Sequence, residues 1–558
     1  PAIPVAAGII LALPSLWVGI QADDWSVRSG VLGIPLVEGV PANPWQPFSF
    51  DGNTANYRKL MDAGWMPWWT DPQCRAVHLR TLTLLTHMFD YRVWDDHPAL
   101  MHLHSLVWYG ALIFAAAILY RRILRQSPPV WLAGLAALMF AIDDRHAIPA
   151  GWLANRNSLL AGFFGVVTLI AYDRWRQDGR RLGAAFLAPI FLLAGLLSKE
   201  EAVCTCGYLA AYVIFLDRAA WRNRLAAVAP CALVAGVWAV GYKMLGYGAS
   251  RSGCYIDPIG EPSQFATEVV NKAPIYLLGQ WGMPPSDISN FLSPFGFALH
   301  WWLAIVYLAV VGVLLAPLVM RVAAARFWAM GMLLSVIPAC AIFPSDRLLM
   351  FVGLGAAGLL SQWLIGFRGG ADWVPMSMRW RRLGKVFSYV FIVLNLIVAP
   401  LLFPINAYAM RTMGETMNEL YDTLPNNANF ATQTAIFVTT GSPIADRTWI
   451  QSRRAGGQPI PAACITLGAA GSATTVTRLD AKTLAVRPFG GYLRPRRWSP
   501  EGDYSEPFLS LRYLLRHLDE LPRGREHPLR LGDTVELSTA SVEVTAMTDD
   551  NRPAEVTF

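Results

Sequence analysis

Charged side chains of this 558-residue chain stand at the ends of its long apolar segments. Asp23 and Asp24 directly follow the first such segment, and Arg156, Lys199 and Arg347 lie at the ends of later ones. A carboxylate can take the proton of an attacking hydroxyl group, and cationic side chains can hold a departing phosphate. The pattern predicts a group-transfer site with Asp23 or Asp24 as the base and the three cations as phosphate ligands.

Other polar residues at the same segment ends are predicted to support this site. They are Asn155, Asn157, Glu200, Asp143, Asp144 and His102. His102 and His104 are two residues apart and point to different faces of a helix, which argues against a histidine-only metal site. We therefore predict no bound metal, with a divalent ion at the Asp23–Asp24 pair left as an alternative.

The elements that position these residues are membrane helices. The chain is 54% hydrophobic and 15% charged, whereas soluble chains carry about 25% charged residues. About eleven apolar runs are each close to the length that crosses a bilayer. They lie near 3–21, 98–120, 129–147, 157–172, 182–197, 202–216, 225–246, 299–320, 327–343, 348–366 and 386–404. The sequence predicts an all-α integral membrane protein.

Basic residues indicate how this protein is oriented. Every second loop is rich in arginine, and such short loops stay on the cytoplasmic side. The loops contain Arg121, Arg122 and Arg125; Arg174, Arg176, Arg180 and Arg181; Arg218, Arg222 and Arg224; Arg321 and Arg326; and Arg368, Arg379, Arg381, Arg382 and Lys385. The candidate site then faces outward, between outer loops 22–97 and 247–298. The net charge of +7 comes partly from these loops and requires no nucleic-acid partner.

The composition changes after the last apolar run. We predict a membrane domain over 1–404 and a small β-rich extracytoplasmic domain over 405–558, in a bacterial inner membrane. The predicted helices outside the spans are Arg80–Trp94, Pro262–Leu278 and Ala407–Leu424, and the predicted strands are Gln433–Thr440, Ala473–Arg478, Thr483–Pro488, Thr534–Ser538 and Ser541–Met547. An oxidising compartment would allow a Cys74–Cys254 disulfide. Because the chain starts at Pro1, we expect residues before it.

The order of motifs resembles a known superfamily. It runs from Ala22-Asp23-Asp24-Trp25 through Arg80-Thr-Leu-Thr-Leu-Leu-Thr-His87, His97-Pro98, Phe140-Ala-Ile-Asp143-Asp144, Asn155-Arg156-Asn157-Ser-Leu-Leu160 and Leu197-Ser198-Lys199-Glu200 to Asp346-Arg347. This order resembles the GT-C glycosyltransferases. It is most similar to the polyprenyl-phosphate-sugar-dependent members, including protein O-mannosyltransferases and their TPR-bearing relatives. The similarity covers about residues 1–366.

The resemblance implies roles for particular residues. The acidic residue of the family's first outer loop, the presumed base, corresponds to Asp23 or Asp24. The basic residues at the carrier phosphate correspond to Arg156, Lys199 and Arg347. The implied partners are a polyprenyl-phosphate-sugar lipid in the membrane and an acceptor that is a protein, a lipid or a glycan.

Two departures from the family pattern keep a rival interpretation open. The segment from Asp143 to Ala147 replaces the Pro-Val-His element of the TPR relatives, and no TPR repeats follow the last span. A non-catalytic membrane subunit that binds a larger complex would fit these departures. A transporter is a weaker alternative, because no paired broken spans indicate inverted repeats.

Overall fold

The computed structural model describes residues 1–47, 50–95, 97–125, 127, 129, 131–178, 182–422, 424–442, 448–495 and 509–558. These residues form a mostly helical protein with a small sheet near the C-terminus. The α-helices are α1 (Ala2–Ala12), α2 (Asp23–Leu32), α3 (Thr54–Asp62), α4 (Thr81–Val93), α5 (Pro98–Ile123), α6 (Leu132–Ala141), α7 (Ala147–Gly151), α8 (Arg156–Gln177), α9 (Leu182–Leu196), α10 (Cys204–Phe215), α11 (Trp221–Met244), α12 (Pro262–Trp281), α13 (Pro294–Arg321), α14 (Ala323–Ala339), α15 (Met350–Gly369), α16 (Met378–Val393), α17 (Ala399–Asp422), α18 (Thr448–Ala455) and α19 (Leu511–Asp519).

Long apolar helices account for most of the predicted spans. Within the described residues, six helical segments are long and apolar enough to cross a membrane: Pro98–Ile123, Leu153–Gln177, Trp221–Met244, Pro294–Arg321, Met350–Gly369 and Met378–Glu415. Four further apolar helices are shorter: Ala2–Trp17, Leu132–Ala141, Ala185–Leu196 and Ala323–Ala339. A mostly helical fold with candidate membrane helices is confirmed, whereas the count of about eleven spans remains a prediction.

The helices share one apolar core, with α15 at its centre. Close approach between α15 and α14 depends on Gly358, where an added Cβ would lie 2.6 Å from the Trp328 ring. Small residues at such crossings let membrane helices pack closely. In contrast, most of α11 and α13 is not buried inside the protein. Their apolar surfaces are what a lipid-facing helix presents.

The arginine-rich loops lie together at one end of the bundle. Arg122 pairs with Asp173, and Arg176 Nε donates to Asp217 Oδ2 at 2.7 Å. Arg321 donates to the carbonyl oxygen of Asp372. These contacts join the ends of α5, α8, α10, α13 and α15, as expected if the loops share one side of the membrane. Arg180 and Arg181 lie outside the described residues.

The outer loops and the C-terminal residues form a second body. Strand β1 (Arg75–Val77) of the first outer loop pairs antiparallel with β2 (Gly248–Ser250) of the second. Trp65, Trp68 and Trp69 of the first loop share an apolar core with the C-terminal strands. The Trp69 indole also donates to the carbonyl oxygen of Asp519 at 3.1 Å. The first outer loop is therefore a structural part of the C-terminal body.

The C-terminal strands form two sheets. The strands are β3 (Thr434–Phe437), β4 (Ala463–Thr466), β5 (Thr474–Arg478), β6 (Leu484–Pro488), β7 (Thr534–Glu536), β8 (Ser541–Met547) and β9 (Pro553–Thr557). Strands β3 and β4 pair in parallel, and the antiparallel sheet has the order β5-β6-β9-β8-β7. The five predicted strands are present, and β4 and β9 are additional.

Two details differ from the sequence-based picture. The predicted helix Ala407–Leu424 is the second part of α17, which starts at Ala399 and passes residue 404 without a break. The division into 1–404 and 405–558 remains a prediction. Cys74 and Cys254 are both free thiols, and each lies next to a backbone carbonyl. The disulfide considered above is absent.

Candidate functional site

The connection between α7 and α8 brings three distant segments together. The backbone N–H of Ala154 donates to Asp24 Oδ1 at 2.7 Å, and Ser158 Oγ accepts from Lys199 Nζ at 2.6 Å. The Trp152 ring lies 5.4 Å below the Arg347 guanidinium group. The start of a helix leaves backbone N–H groups without intrahelical partners, and Asp24 satisfies one of them. Residues 152–158 therefore hold the predicted acid and two predicted cations around one short segment.

Asp23 and Asp24 open α2, and their environments differ. Asp24 is completely buried, and its second carboxylate oxygen accepts from the backbone N–H of Gln21 at 3.0 Å. Burial raises the pKa of Asp24 to about 8. Asp23 is half-buried. The preceding residue, Ala22, has a positive φ of 46°, a strained conformation that is found mostly where function requires it.

Asp23 takes part in a group of charges around Tyr255, in the second outer loop. The charges of Arg347, Asp23 and Arg80 all act on the Tyr255 hydroxyl, and burial raises its pKa. Burial lowers the pKa of Lys199, and the charges of Arg80 and Arg347 also act on it. We call this group the Tyr255 cluster, and its members are Asp23, Arg80, Lys199, Glu200, Tyr255 and Arg347.

Glu200 neutralises one side of this cluster. Its carboxylate accepts from Arg80 Nε at 3.1 Å and from the Tyr242 hydroxyl at 3.2 Å, and it lies 3.5 Å from His78 Nδ1. Burial opposes ionisation of Glu200, but Arg80 and His78 outweigh it and hold its pKa well below the usual range. Glu200 therefore already neutralises the charge of Arg80.

The two remaining cations of the cluster, Lys199 and Arg347, differ in whether a carboxylate of the protein already pairs with them. Lys199 Nζ lies 2.6 Å from Glu201 Oε2, so its charge is largely balanced. Arg347 is half-buried and rests on Trp152. Among the described residues, no hydrogen bond or ion pair engages its guanidinium group. Arg347 is thus the cation best placed to receive an anionic ligand.

Arg156 lies in a separate, closed site. Its guanidinium group is fully buried and contacts Asp90 Oδ2 at 2.5 Å, Met101 O at 2.7 Å and Ser105 Oγ at 2.8 Å. We call this group the Arg156 site. These contacts tie α8 to α4 and α5. The sequence argument did not include Asp90, because its carboxylate meets Arg156 only through the packing of α4 on α8.

Asp143 and Asp144 surround a different cation, Arg145. The Arg145 guanidinium lies 2.8 Å from Asp143 Oδ1 and 3.4 Å from Asp144 Oδ1, and it donates to the Gly279 carbonyl. Burial raises the pKa of Asp144 to about 6. Among the described residues, neither acid forms a hydrogen bond or an ion pair with a member of the Tyr255 cluster. The two acids therefore form a second charged group.

The other predicted residues act as supports. Asn155 Oδ1 accepts from the Ser158 hydroxyl at 3.2 Å, and Asn157 Nδ2 donates to the Ala154 carbonyl at 3.0 Å. His102 Nε2 lies 2.9 Å from the Gly19 carbonyl, which fixes the chain just before α2. In the described ranges, no three His, Cys, Asp or Glu side chains are close enough to share a metal ion.

Sequence reasoning did not select Tyr255, Trp152 or Tyr242. Tyr255 lies in an irregular loop without hydrophobic periodicity, so no pattern marks it. Trp152 does carry a signal, since it directly precedes the Leu-Ala-Asn-Arg-Asn motif. Aromatic rings are typical cation–π partners of arginine, but only the fold shows that this ring meets Arg347 of a distant segment.

Comparison with protein-family models finds no match, and comparison with curated proteins finds none. Solved structures do match. An Archaeoglobus fulgidus oligosaccharyltransferase tethered to an acceptor peptide with the NVT sequon matches over 82% of this chain and 64% of its own, with 12% identity and a TM-score of 0.37. AglB from that organism, with an inhibitory peptide and a dolichol-phosphate, matches over the same shares, with 12% identity and a TM-score of 0.39.

ArnT from Cupriavidus metallidurans, bound to undecaprenyl phosphate, matches over 82% of this chain and 89% of its own, with 11% identity and a TM-score of 0.34. AglB and ArnT are GT-C glycosyltransferases, the superfamily that the motif order resembles. The matched region spans less than two thirds of the archaeal enzyme. At this level of similarity the comparisons carry no argument about activity, and the proposal below rests on the residues of this chain.

Proposed function

We propose that this chain is a membrane glycosyltransferase that moves a sugar from a polyprenyl-phosphate donor to an acceptor on the extracytoplasmic side. The observation that carries the proposal is the Tyr255 cluster. It combines a carboxylate, Asp23, with a guanidinium group, Arg347, that no carboxylate neutralises among the described residues. The cluster lies at the ends of apolar helices, where the phosphate of a membrane lipid is found.

The charged groups of the cluster that a ligand can reach support an inverting displacement. The Asp23 carboxylate takes the proton of the acceptor hydroxyl, and the acceptor oxygen bonds to the anomeric carbon of the sugar. The bond from that carbon to the phosphate oxygen breaks, and polyprenyl phosphate leaves. Arg347 stabilises the negative charge that develops on this phosphate. Lys199 lies nearby, but Glu201 already balances its charge, so Arg347 is the principal phosphate ligand.

Asp24 supports the base and does not act as the base itself. Both of its carboxylate oxygens already accept backbone N–H groups, and the side chain is buried. An acceptor hydroxyl cannot reach it without breaking those bonds. Asp23 is the neighbouring carboxylate with access, so Asp24 holds the start of α2 against the start of α8 and thereby positions Asp23.

The test is sugar transfer by the purified full chain, with a panel of radiolabelled polyprenyl-phosphate sugars and Asp23→Asn beside the parent. Asp480→Asn is the matched control, because Asp480 lies on the exposed β5–β6 turn. We expect the parent and Asp480→Asn to transfer one of the sugars and Asp23→Asn to fail. If the parent transfers none of a broad panel and purifies with a stoichiometric partner, the non-catalytic subunit is the better account.

The extracytoplasmic placement of the C-terminal domain is part of this proposal. It is supported by the arginine-rich loops, which meet at one end of the bundle. A cysteine at Lys482, on the exposed β5–β6 turn, should react with a membrane-impermeant thiol reagent in intact spheroplasts. Labelling that appears only after the membrane is permeabilised would place this domain, and the Tyr255 cluster with it, in the cytoplasm.

A further inference from the structure

A small polar cradle faces Gly353, in the second charged group around Arg145. A Cβ added to Gly353 would lie 3.3 Å from Asp143 Oδ2, 3.3 Å from His146 Nε2 and 3.5 Å from Gln280 Oε1. The three atoms come from two places: α12 carries Gln280, and the turn between α6 and α7 carries Asp143 and His146. Gly353 itself belongs to α15. Because glycine has no side chain, the three polar atoms surround the space that a Cβ of residue 353 would fill.

All three atoms are hydrogen-bond acceptors. His146 Nδ1 lies 2.9 Å from the Phe140 carbonyl, which can only accept, so Nδ1 carries the proton and Nε2 of the neutral ring presents a lone pair. Gln280 Nε2 donates to Asp143 Oδ2 at 3.1 Å, which orients the amide and leaves its oxygen as an acceptor.

Two of these acceptors lack a partner although they are buried. Within the described residues, His146 Nε2 and Gln280 Oε1 have no hydrogen-bond partner. Their side chains belong to residues that are only 0% and 4% exposed. Buried polar atoms in folded proteins are nearly always satisfied. The cradle therefore calls for a ligand that is positively charged or donates hydrogen bonds.

The surrounding charges favour a positive ligand. Asp143, Asp144, Asp287 and Asp346 lie in this region, and the Asp346 N–H donates to Asp287 Oδ2 at 2.8 Å. In the described part of the chain, Arg145 is the only basic residue that forms an ion pair with any of them. Burial raises the pKa of Asp346 to about 7, and the Asp287 carboxylate adds to this effect.

A small cavity adjoins two of the three residues of the cradle. It has a volume of about 10 Å³ and is lined by Asp143, Gln280 and Asn395, together with apolar residues of α6, α12 and α15. A volume of about 10–15 Å³ by this measure admits one particle the size of a water molecule. Asn395 reaches the cavity from the π-helical turn Leu394–Val398, and such turns recur at functional sites.

We propose that Asp143, His146 and Gln280 bind one alkali-metal cation, sodium or potassium, in the cradle beside Gly353. One water molecule could donate to the two open acceptors, but it would bring no charge to a group in which one arginine pairs with two of four carboxylates. The site borders the turn that holds Asp346 and Arg347 but uses neither Asp23 nor Arg347 as a ligand, so it goes beyond the transferase activity and does not depend on it.

The experiment measures ion binding to the purified full chain in detergent. Radioactive sodium, and radioactive rubidium in place of potassium, are titrated at constant ionic strength with N-methyl-D-glucamine as the inert cation. We expect one bound ion per chain, and the preferred ion should raise the Tm in equal steps for each tenfold rise in concentration above the Kd. The two tracers decide between sodium and potassium.

Variants assign that binding to the cradle. Gly353→Ala puts a methyl group among the three acceptors and should remove ion binding and the ion-dependent rise in Tm. Gly369→Ala, in the same helix with nothing within 4 Å of its added Cβ, should bind as the parent does. Gln280→Met is the second variant, in case Gly353→Ala does not fold.

Absence of both ions from the parent, or unchanged binding in the folded cradle variants, would overturn the proposal and leave the cavity to water. An ion-binding parent without transferase activity would count against the proposed function alone.

Discussion

The Arg156 site and the Tyr255 cluster both place a guanidinium group at the end of an apolar helix, but their surroundings differ. Arg156 is buried against the Asp90 carboxylate and three further polar contacts. Arg347 is half-buried on an indole ring. Removing one partner of a buried ion pair leaves an uncompensated charge, whereas a cation without a carboxylate can be neutralised by a ligand. A structural arginine differs from a ligand-binding one mainly in whether a carboxylate of the protein already pairs with its guanidinium group. Its position along the chain matters less.

The largest expected effect concerns the chemistry of the Tyr255 cluster. Asp23→Asn should lower the rate of transfer by about 10²–10⁴-fold, because an amide cannot accept the proton of the acceptor hydroxyl. Donor affinity should stay close to that of the parent. Single-turnover transfer and equilibrium binding of polyprenyl phosphate measure the two quantities separately. Full activity in Asp23→Asn would move the base to another residue.

The next effect concerns the stability of the Arg156 site. Arg156→Ala should lower the free energy of unfolding by about 3–5 kcal/mol, since Asp90 remains buried without its arginine and keeps only His104 as a partner. The double variant Arg156→Met with Asp90→Leu should recover much of that loss. Chemical unfolding in detergent measures both. A stable Arg156→Ala protein that no longer binds donor would show that the two arginines have been assigned the wrong way round.

Arg347→Ala should weaken donor binding and change stability little, which is the opposite of Arg156→Ala. We expect donor affinity to fall about tenfold to a hundredfold, the value of a lost charge-assisted hydrogen bond or two. The free energy of unfolding should fall by no more than about 1 kcal/mol, because the side chain loses its cation–π contact with Trp152 but forms no ion pair among the described residues. Arg347→Lys, which keeps the charge, should retain part of the affinity. Calorimetric titration with polyprenyl phosphate and thermal unfolding check the two halves of this prediction.

The smallest effects concern how the stability of the folded protein changes with pH. Glu200 and Asp24 contribute to this pH dependence with opposite signs. Glu200 has a lowered pKa in the folded protein. Its stabilising contribution is therefore present above its unfolded pKa of about 4.3 and is lost as the pH falls further. Asp24 has a pKa raised to about 8. The folded state holds a proton that the unfolded state releases, so stability falls as the pH rises from about 4 to about 8.

Two variants separate these contributions. Glu200→Gln should flatten the loss of Tm on acidification, and Asp24→Asn should flatten the decline between about pH 4 and pH 8. Each slope is limited to about 1.4 kcal/mol per pH unit for one proton. Thermal unfolding across this pH range is the measurement. If the decline persists unchanged in Asp24→Asn, other buried carboxylates such as Asp346 are its source.

The sequence was informative wherever an element depends on local pattern. Apolar runs predicted the long helices, and helical spacing predicted α4 and α12. The strand β4 was missed because its partner β3 lies beyond α18 in the chain. The strand β9 was missed because it begins at Pro553, a residue type that is rare in strands, although it forms a hairpin with β8. Within the site, the helix-end rule brought Lys199 and Arg347 to one place. The same rule also selected Arg156, because sequence spacing cannot show that α4 supplies Asp90.

The most direct test of this account is a structure of the chain with bound polyprenyl phosphate. The account predicts that phosphate oxygens lie about 2.7–2.9 Å from the Arg347 guanidinium group, with Asp23 on the side where the sugar and the acceptor meet. It also predicts that Arg156 remains paired with Asp90 and does not touch the lipid. A phosphate bound to Arg156, or bound at the arginine-rich end of the bundle, would contradict the account.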